Sequence, residues 1–326
     1  MCIQRGIKMK YYVGIDLGGT NIAAGIVSDT GELLNKMSVK TNADRHTNEI
    51  IEDMEKLCFA VIEDMKLTRE DISGVGIGSA GRISGGVILS AGNLGFKNVE
   101  MEKIFSEKTG FKTAVCNDAN AVALAEAKFG AGKGVNNLVA VTIGTGIGGG
   151  VIVGGKIVEG INGGAGEVGH MIINPKGNPC CCGNVGCFEA HCSATALINS
   201  TKKAMNENPD SSLWKYAPSL DDVDGRTVFS AMKDGDESAV KVFEKYTYDF
   251  AVALEILVAV LQPDVICIGG GMSAEGDTII NPIIEKLRAN PFCNSPYAVT
   301  KIKAAELKNG AGIIGAAYYA VQKIEE

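Results

Sequence analysis

Residues 11–27 read YYVGIDLGGTNIAAGIV, so apolar runs flank a glycine pair on both sides. Because β-branched residues favour strands and Gly18-Gly19 permits a tight reversal, the pattern predicts strand, turn and strand. Residues 138–157 read LVAVTIGTGIGGGVIVGGKI and repeat the same order. The likeness predicts an internal duplication with two related α/β domains, although two ordinary hairpins would give the same pattern.

The remaining periodic segments alternate between helix and strand. Apolar spacing or composition predicts helices over 50–65, 119–129, 237–261 and 311–324, and strands over 72–78, 114–116 and 265–268. Residues 158–192 are rich in Gly and Cys and predict a long ordered loop, which is usually functional in a compact protein. The predicted fold class is α/β throughout.

Composition excludes several classes of protein. Hydrophobic residues make up 46% of the 326 residues and charged residues 21%, as in folded globular chains. The net charge of -7 argues against nucleic-acid and anionic-membrane partners. No apolar run reaches the roughly 20 residues that span a bilayer, and the first residues do not form a signal peptide. We therefore expect a cytoplasmic protein. A second methionine, Met9, stands just before the first predicted strand, so we expect residues 1–8 to be dispensable.

Two familiar nucleotide motifs are absent or incomplete. Gly144, Gly146 and Gly149 satisfy the dinucleotide pattern, as do Gly164, Gly166 and Gly169, but that pattern must open a helix after a strand. The first match is followed by β-branched residues and the second follows no strand, which disfavours an NAD(P)-dependent oxidoreductase. The nearest candidate for a Walker-A lysine, Lys133, is followed by glycine instead of Ser or Thr.

The two Gly-rich turns offer another way to hold phosphates. Backbone N–H groups of a turn can point at an anion where glycines let it approach. Asp16 beside the first turn suits such a site only if a cation such as Mg²⁺ lies between carboxylate and phosphate. The pair of turns predicts one phosphate loop from each domain, built from Asp16, Gly18, Gly19, Thr20, Asn21, Gly144, Thr145 and Gly146.

Residues 166–192 predict a structural zinc site. Five of the ten cysteines lie between Cys180 and Cys192. Cys180, Cys182 and Cys187 with His170 supply the four ligands of a closed tetrahedral Zn²⁺ site. A register that uses Cys181 is the alternative. Glu167 and Glu189 bracket the cluster, and paired carboxylates fixed by a metal suit the vicinal hydroxyls of a sugar.

Taken together, these motifs resemble those of the ROK family of repressors and kinases, in the actin/hexokinase-like ATPase superfamily. The resemblance covers nearly the whole chain and rests on DLGGTN at 16–21, NDAN at 117–120, GTGIGGG at 144–150, EVGH at 167–170, CCCGNVGCFE at 180–189 and AGIIGAA at 311–317. It implies two ribonuclease-H-like domains around a central cleft with a zinc-stapled loop. The smaller domain would comprise residues 1–118 plus 305–326, and the larger one residues 119–304 with the zinc loop at 166–192.

The resemblance also implies roles for individual residues. Asp118 would be the general base that takes the proton from the attacking sugar hydroxyl. Sugar ligands would be Gly81, Asn93, Asn117, Asp118, Glu167, His170 and Glu189, and adenosine contacts Gly269, Gly270 and Gly271. His170 would bind zinc through one ring nitrogen and offer the other to the sugar.

The implied function is ATP-dependent phosphorylation of a hexose, with ATP, catalytic Mg²⁺ and structural Zn²⁺. Glucose is expected because GNLGFKNV at 92–99 resembles the glucokinase sugar loop. Arg82-Ile83 after Gly81 departs from the Val-Asp-like residues that many glucokinases carry there, which keeps N-acetylmannosamine, fructose and allose open. A catalytically inactive sugar sensor is the alternative outside enzymes. ROK kinases are commonly homodimers or homotetramers, and the ten residues before the first strand leave no room for the repressors' DNA-binding domain.

Overall fold

The structure, a computed structural model, describes residues 9–271, 276–295 and 299–325; residues 1–8, which the sequence predicts to be dispensable, lie outside this part. The strands are β1 (Tyr11–Leu17), β2 (Asn21–Ser28), β3 (Met37–Lys40), β4 (Ile72–Ser79), β5 (Arg82–Ser84), β6 (Val87–Ala91), β7 (Phe96–Val99), β8 (Thr113–Asn117), β9 (Leu138–Ile143), β10 (Ile147–Val153), β11 (Lys156–Ile157), β12 (Val265–Gly270) and β13 (Lys301–Ala304). The helices are α1 (Thr47–Asp64), α2 (Met101–Thr109), α3 (Asp118–Phe129), α4 (Phe188–Cys192), α5 (Ala194–Glu207), α6 (Leu213–Tyr216), α7 (Thr227–Lys233), α8 (Glu237–Leu261), α9 (Asp277–Ala289) and α10 (Ala311–Glu325). The predicted α/β class is confirmed.

The first strand, turn and strand form as predicted. β1 pairs antiparallel with β2 from Tyr11 opposite Ser28 to Leu17 opposite Ile22. Burial of Val13, Ile15 and Leu17 fixes this register, because a slip by one residue would turn these side chains to the other face.

Both five-stranded sheets have the same strand order. The first runs β3-β2-β1-β4-β8 and the second β11-β10-β9-β12-β13, so each opens with a meander and continues with two later strands. β4 is parallel to β1 and to β8, and β12 is parallel to β9 and to β13. Shared order and shared directions favour the internal duplication over two unrelated hairpins.

The chain divides into two compact units. The first comprises Met1–Asn136, Gly150–Gly166 and Glu306–Glu326, and the second Asn137–Gly149 and Glu167–Ala305. These boundaries differ from the predicted domains of 1–118 plus 305–326 and 119–304. Residues 119–129 belong to the first unit because α3 packs against α10 and β4.

Helix α10 lies directly on the first sheet because two strand residues lack a side chain. A Cβ on Gly14 would overlap the carbonyl of Ile313, and a Cβ on Gly76 would overlap that of Ala316. This close approach fixes the helix against β1 and β4, the strands that lead toward Asp16 and Ser79.

Several elements of the structure were not predicted from the sequence. β5, β6 and β7 form a separate three-stranded sheet between β4 and α2. The predicted loop over 158–192 contains the short helix α4 and two isolated strand pairings, Ile172 with Cys187 and Pro179 with Val185. Among the described residues, no helix combines the length and the apolar character that crossing a membrane requires.

Candidate active site

Asp16 stands at the edge of the first Gly-rich turn. The Gly18 N–H donates to the Asn21 carbonyl at 3.1 Å, and the Thr41 hydroxyl donates to the Gly18 carbonyl at 2.6 Å. A Cβ on Gly19 would lie 3.2 Å from Asn93 Nδ2, so this predicted sugar ligand packs against the turn. Thr20 and Asn21 are exposed.

Asp118 begins α3 at the point where β8 ends. The preceding residue, Asn117, caps the helix: its Oδ1 accepts from the Asn120 N–H at 3.1 Å and its Nδ2 donates to the Gly81 carbonyl at 3.0 Å. Asp118 Oδ1 accepts from the Ala119 N–H at 2.8 Å. Gly81 has φ of 103°, a conformation that favours glycine. Three predicted site residues, Gly81, Asn117 and Asp118, are thus joined in one network.

The two aspartates of this unit share an electrostatic environment. Burial raises the pKa of Asp16 to about 6; the negative charge of Asp118 adds to the rise, and Lys36 opposes it. Burial also raises the pKa of Asp118, while the N–H groups of Ala119 and of Asp118 itself, together with the Asn117 side chain, work against that rise. Two carboxylates that resist ionisation in this way fit a nearby cation, which would stabilise both charged forms.

Gly312, at the start of α10, was not predicted as a site residue. A Cβ there would lie 2.6 Å from Asp16 Oδ2, so glycine makes room for the carboxylate. Gly312 lies in AGIIGAA at 311–317, one of the stretches that carry the family resemblance, but the sequence does not show which side chain it faces.

Asp16→Asn is expected to stabilise the chain in the absence of metal and nucleotide. The folded protein holds the Asp16 proton up to pH of about 6, whereas an unfolded Asp loses it near 3.8, so stability falls as pH rises through this window. At pH 8 the variant should exceed wild type in free energy of unfolding by at most about 3 kcal/mol. At pH 3.5 the difference should vanish. Urea unfolding at both pH values measures this difference in free energy of unfolding. Asp29→Asn, which changes an exposed aspartate, is the control. Equal stability of Asp16→Asn and wild type at pH 8 would contradict the prediction.

The second Gly-rich turn is held by two elements of the second unit. The Gly144 N–H donates to the Gly146 carbonyl at 2.9 Å, and the Ala194 N–H donates to the Gly144 carbonyl at 2.9 Å. Glu189 Oε2 on α4 accepts from the Ile147 N–H at 2.9 Å. A Cβ on Gly146 would overlap that same carboxylate oxygen. Glu189 therefore ties α4 to the turn, a structural contact that the sequence did not indicate.

The four predicted zinc ligands lie together. One donor atom each from His170, Cys180, Cys182 and Cys187 falls within 4.8 Å of all the others. His170 Nδ1 is 3.8 Å from Cys180 Sγ, and Cys182 Sγ is 3.6 Å from Cys187 Sγ. A tetrahedral ion with bonds of about 2.3 Å to sulfur separates its sulfur ligands by about 3.8 Å. Both the kind of donors and their spacing fit Zn²⁺.

Cys181, the alternative ligand, points elsewhere. Its side chain is exposed, and its Sγ lies 3.2 Å from Glu189 Oε1. The geometry therefore favours the register with Cys180 and Cys182 in the four-ligand cluster.

His191, which lies beyond the four predicted zinc ligands, connects the loop to α8. Its Nε2 accepts from the Asn178 N–H at 3.2 Å, and its Nδ1 lies 3.1 Å from the buried carboxylate of Asp249. Asn178 Nδ2 donates in turn to the Ala190 carbonyl at 3.0 Å. The loop is thus anchored on α8 as well as by its cysteines. The sequence contained only one hint of this contact, a third histidine beside Cys192.

The other predicted residues occupy separate places. Glu167 is exposed and directly precedes a short helical turn at residues 168–170, where the His170 N–H donates to the Glu167 carbonyl at 3.1 Å. Gly269 and Gly270 end β12, and Gly271 follows. Gly270 has φ of 91°, and a Cβ there would overlap the backbone of Ile143, so β12 and β9 meet closely at this end.

Comparison with known proteins places the chain in a family. A model of the ROK family matches residues 12–323. The chain is 33% identical over 323 residues to a glucokinase of Halalkalibacterium halodurans, covering 96% of both chains. It is 33% identical over 320 residues to a glucokinase of Thermotoga maritima, covering 97% of this chain and 99% of the relative.

A solved structure of a ROK family protein is also similar to this chain. The chain superimposes with a TM-score of 0.78 on a ROK family glucokinase from Streptomyces griseus, solved in complex with glucose and AMPPNP. The two are 31% identical, and the match covers 96% of this chain and 99% of the other. With the two Gly-rich turns, the Asn117-Asp118 pair and the Cys/His cluster, these matches identify the chain as a member of the ROK family.

Proposed function

We propose that this chain is an ATP-dependent hexose kinase that phosphorylates glucose best, with Asp118 as its general base. The observation that carries the proposal is the position of Asp118. It is a half-buried carboxylate with a raised pKa, and the Asn117–Gly81 hydrogen bond holds the adjoining backbone in place. The relatives named above as glucokinases support the reaction class and the preference for glucose.

Asp118 would act on the hydroxyl that attacks the γ-phosphoryl group of ATP. Its Oδ1 accepts from the Ala119 N–H, which orients the carboxylate that would accept the hydroxyl proton. The hydroxyl oxygen forms a bond to phosphorus as the bond between phosphorus and the β,γ-bridging oxygen breaks, and ADP leaves. A raised pKa makes the ionised carboxylate a stronger base.

The Gly-rich turns would hold the phosphates of ATP. Phosphoryl transfer asks mainly for positioning and charge stabilisation, which backbone N–H groups of the two Gly-rich turns other than those of Gly18 and Gly144 can supply. Asp16 would hold Mg²⁺, whose charge offsets that of the phosphates when it is bound. Gly269, Gly270 and Gly271 would contact the adenosine.

The zinc loop would present sugar ligands rather than take part in the chemistry. Four protein ligands leave a bound zinc ion no open position. With Nδ1 of His170 in the cluster, Nε2 remains for a sugar hydroxyl. Glu167 and Glu189 would accept hydrogen bonds from neighbouring hydroxyls, and Asn93, Asn117 and Gly81 would complete the sugar site.

A coupled assay of ADP release over a panel of sugars tests the proposal. Glucose should give the highest kcat/KM, with N-acetylmannosamine, fructose and allose each lower by about tenfold or more, since an unpaired polar group costs that much. Release of ADP with none of these sugars, together with measurable sugar binding by calorimetry, would favour the inactive sensor. A higher kcat/KM with another of them would reassign the substrate. The implied homodimer or homotetramer stays a prediction for a mass measurement in solution.

A further inference from the structure

Cys181 is the one cysteine of residues 180–187 that the four-ligand cluster does not use, and it lies beside an acid of the proposed sugar site. We propose that Cys181, Cys180 and Glu189 form a second metal site, which takes a zinc-like divalent ion reversibly and withdraws Glu189 from the substrate. The inference deepens the proposed function and, in its effect on activity, rests on it.

The donor atoms are already close together. One ligand atom each of Cys180, Cys181 and Glu189 lies within 4.8 Å of the other two. Cys181 Sγ is 3.2 Å and Cys180 Sγ is 4.0 Å from the same carboxylate oxygen, Glu189 Oε1. A tetrahedral zinc ion with its usual bond lengths separates a sulfur and an oxygen ligand by about 3.6 Å. The two observed distances lie on either side of this value, so small side-chain rotations would bring both donors to it.

The site is open to ions from solution. Cys180, Cys181 and Glu189 line a cavity of about 680 Å³ in the second unit, whose other wall includes Thr195 and Asn199 of α5. Cys181 is exposed, so an ion reaches its sulfur without unfolding of the loop.

The ligand set selects the kind of metal and the strength of binding. Thiolates with one carboxylate suit Zn²⁺ and softer ions, and they disfavour Mg²⁺ and Ca²⁺, which prefer oxygen. The sulfur of Cys180 keeps lone pairs after binding one ion, so it can bridge to a second. Three protein ligands leave a position for water, whereas the His170 cluster is closed by four. The closed site should therefore fill first and the second one only at higher zinc.

An ion in the second site would affect sugar binding because it would occupy Oε1 of Glu189. Glu189 Oε2 is held by the Ile147 N–H, and the proposed ion takes Oε1. A carboxylate engaged on both oxygens has less capacity for sugar hydroxyls. Zinc above the amount that fills the first site should therefore compete with the sugar.

Counting bound ions tests the site without reference to activity. Native mass spectrometry of the intact protein, titrated with zinc alone, should show one ion at limiting metal and two at excess. Cys181→Ser should stop at one ion, while Cys293→Ser, which changes a partly exposed cysteine outside this cavity, should still reach two. A single ion on wild type at every zinc concentration would refute the site, as would two ions on Cys181→Ser.

The inhibition is tested separately, by ADP release from glucose and ATP. Added zinc should inhibit wild type and Cys293→Ser, and more glucose should raise the zinc needed. Cys181→Ser should need at least about tenfold more zinc, because loss of even an outer-shell partner weakens metal binding that much. Equal zinc sensitivity of Cys181→Ser and wild type would overturn the inhibitory role. If the protein releases no ADP with any sugar, the proposed function fails while the ion count still decides the site.

Discussion

Asp118→Asn is expected to lower kcat for hexose phosphorylation by about 10²- to 10⁴-fold, the usual contribution of a positioned general base. The amide has the size of the carboxylate but cannot accept the hydroxyl proton. Its Oδ1 can still accept from the Ala119 N–H, so the first turn of α3 should survive. Substrate KM should change far less than kcat, because the loss falls on the transition state.

Folding of this variant is expected to be intact, which separates a lost base from a lost structure. Burial raises the pKa of Asp118, so removing its charge should leave the free energy of unfolding unchanged or higher at neutral pH. Asp29→Asn, at an exposed turn after β2, is the matched control and should keep wild-type kcat. A kcat for Asp118→Asn within tenfold of wild type would rule out the base assignment.

Cys187→Ser is expected to abolish tight zinc binding and to lower the free energy of unfolding by at least about 4 kcal/mol, as losses of a structural metal do. Cys187 is fully buried and immediately precedes α4, the helix that bears Glu189. Without the ion, three sulfur or nitrogen donors would be left close together with no partner of opposite charge. The loop would then hold His170 and Glu189 less firmly, so KM for the sugar should rise.

Metal analysis and urea unfolding measure this effect. Purified wild type should carry about one zinc ion per chain when no excess is supplied. Cys181→Ser is the matched cysteine control, since Cys181 lies outside the four-ligand cluster, and it should retain that ion and wild-type stability. If Cys187→Ser does not accumulate as folded protein, wild type stripped with a chelator serves instead. Metal-free protein of unchanged stability would contradict a structural role for zinc.

Much of the fold could be predicted because its periodic segments are long and buried. Helix α8 matches the predicted 237–261, where Asp236 caps the start and Pro263 follows the end. The strand pairs at 11–28 and 138–153 were predicted because each has a glycine turn between two apolar runs. Strand β3 and the β5–β7 sheet were not predicted, because each of these strands has only three to five residues, too few to show a period.

The site was predicted from residue type and spacing, and its contacts were not. Donor chemistry alone indicated zinc at His170 and the cysteines, because three Cys and one His within 18 residues match a usual ligand set of structural zinc. The choice between Cys181 and its neighbours needed coordinates, since adjacent residues of one turn differ only in where their side chains point. Gly312 beside Asp16, and His191 between Asn178 and Asp249, are likewise contacts across elements.

The sequence by itself determined the fold class, the two Gly-rich turns, the acid after β8 and the composition of the Cys/His cluster. These are properties of residue identity and of short-range period, which the chain carries before it folds. Only the tertiary structure decided which cysteines share one centre, that Glu189 holds the Ile147 N–H, and that burial together with Asp118 raises the pKa of Asp16. Distances, burial and electric fields depend on residues far apart in the chain, and packing alone brings those together.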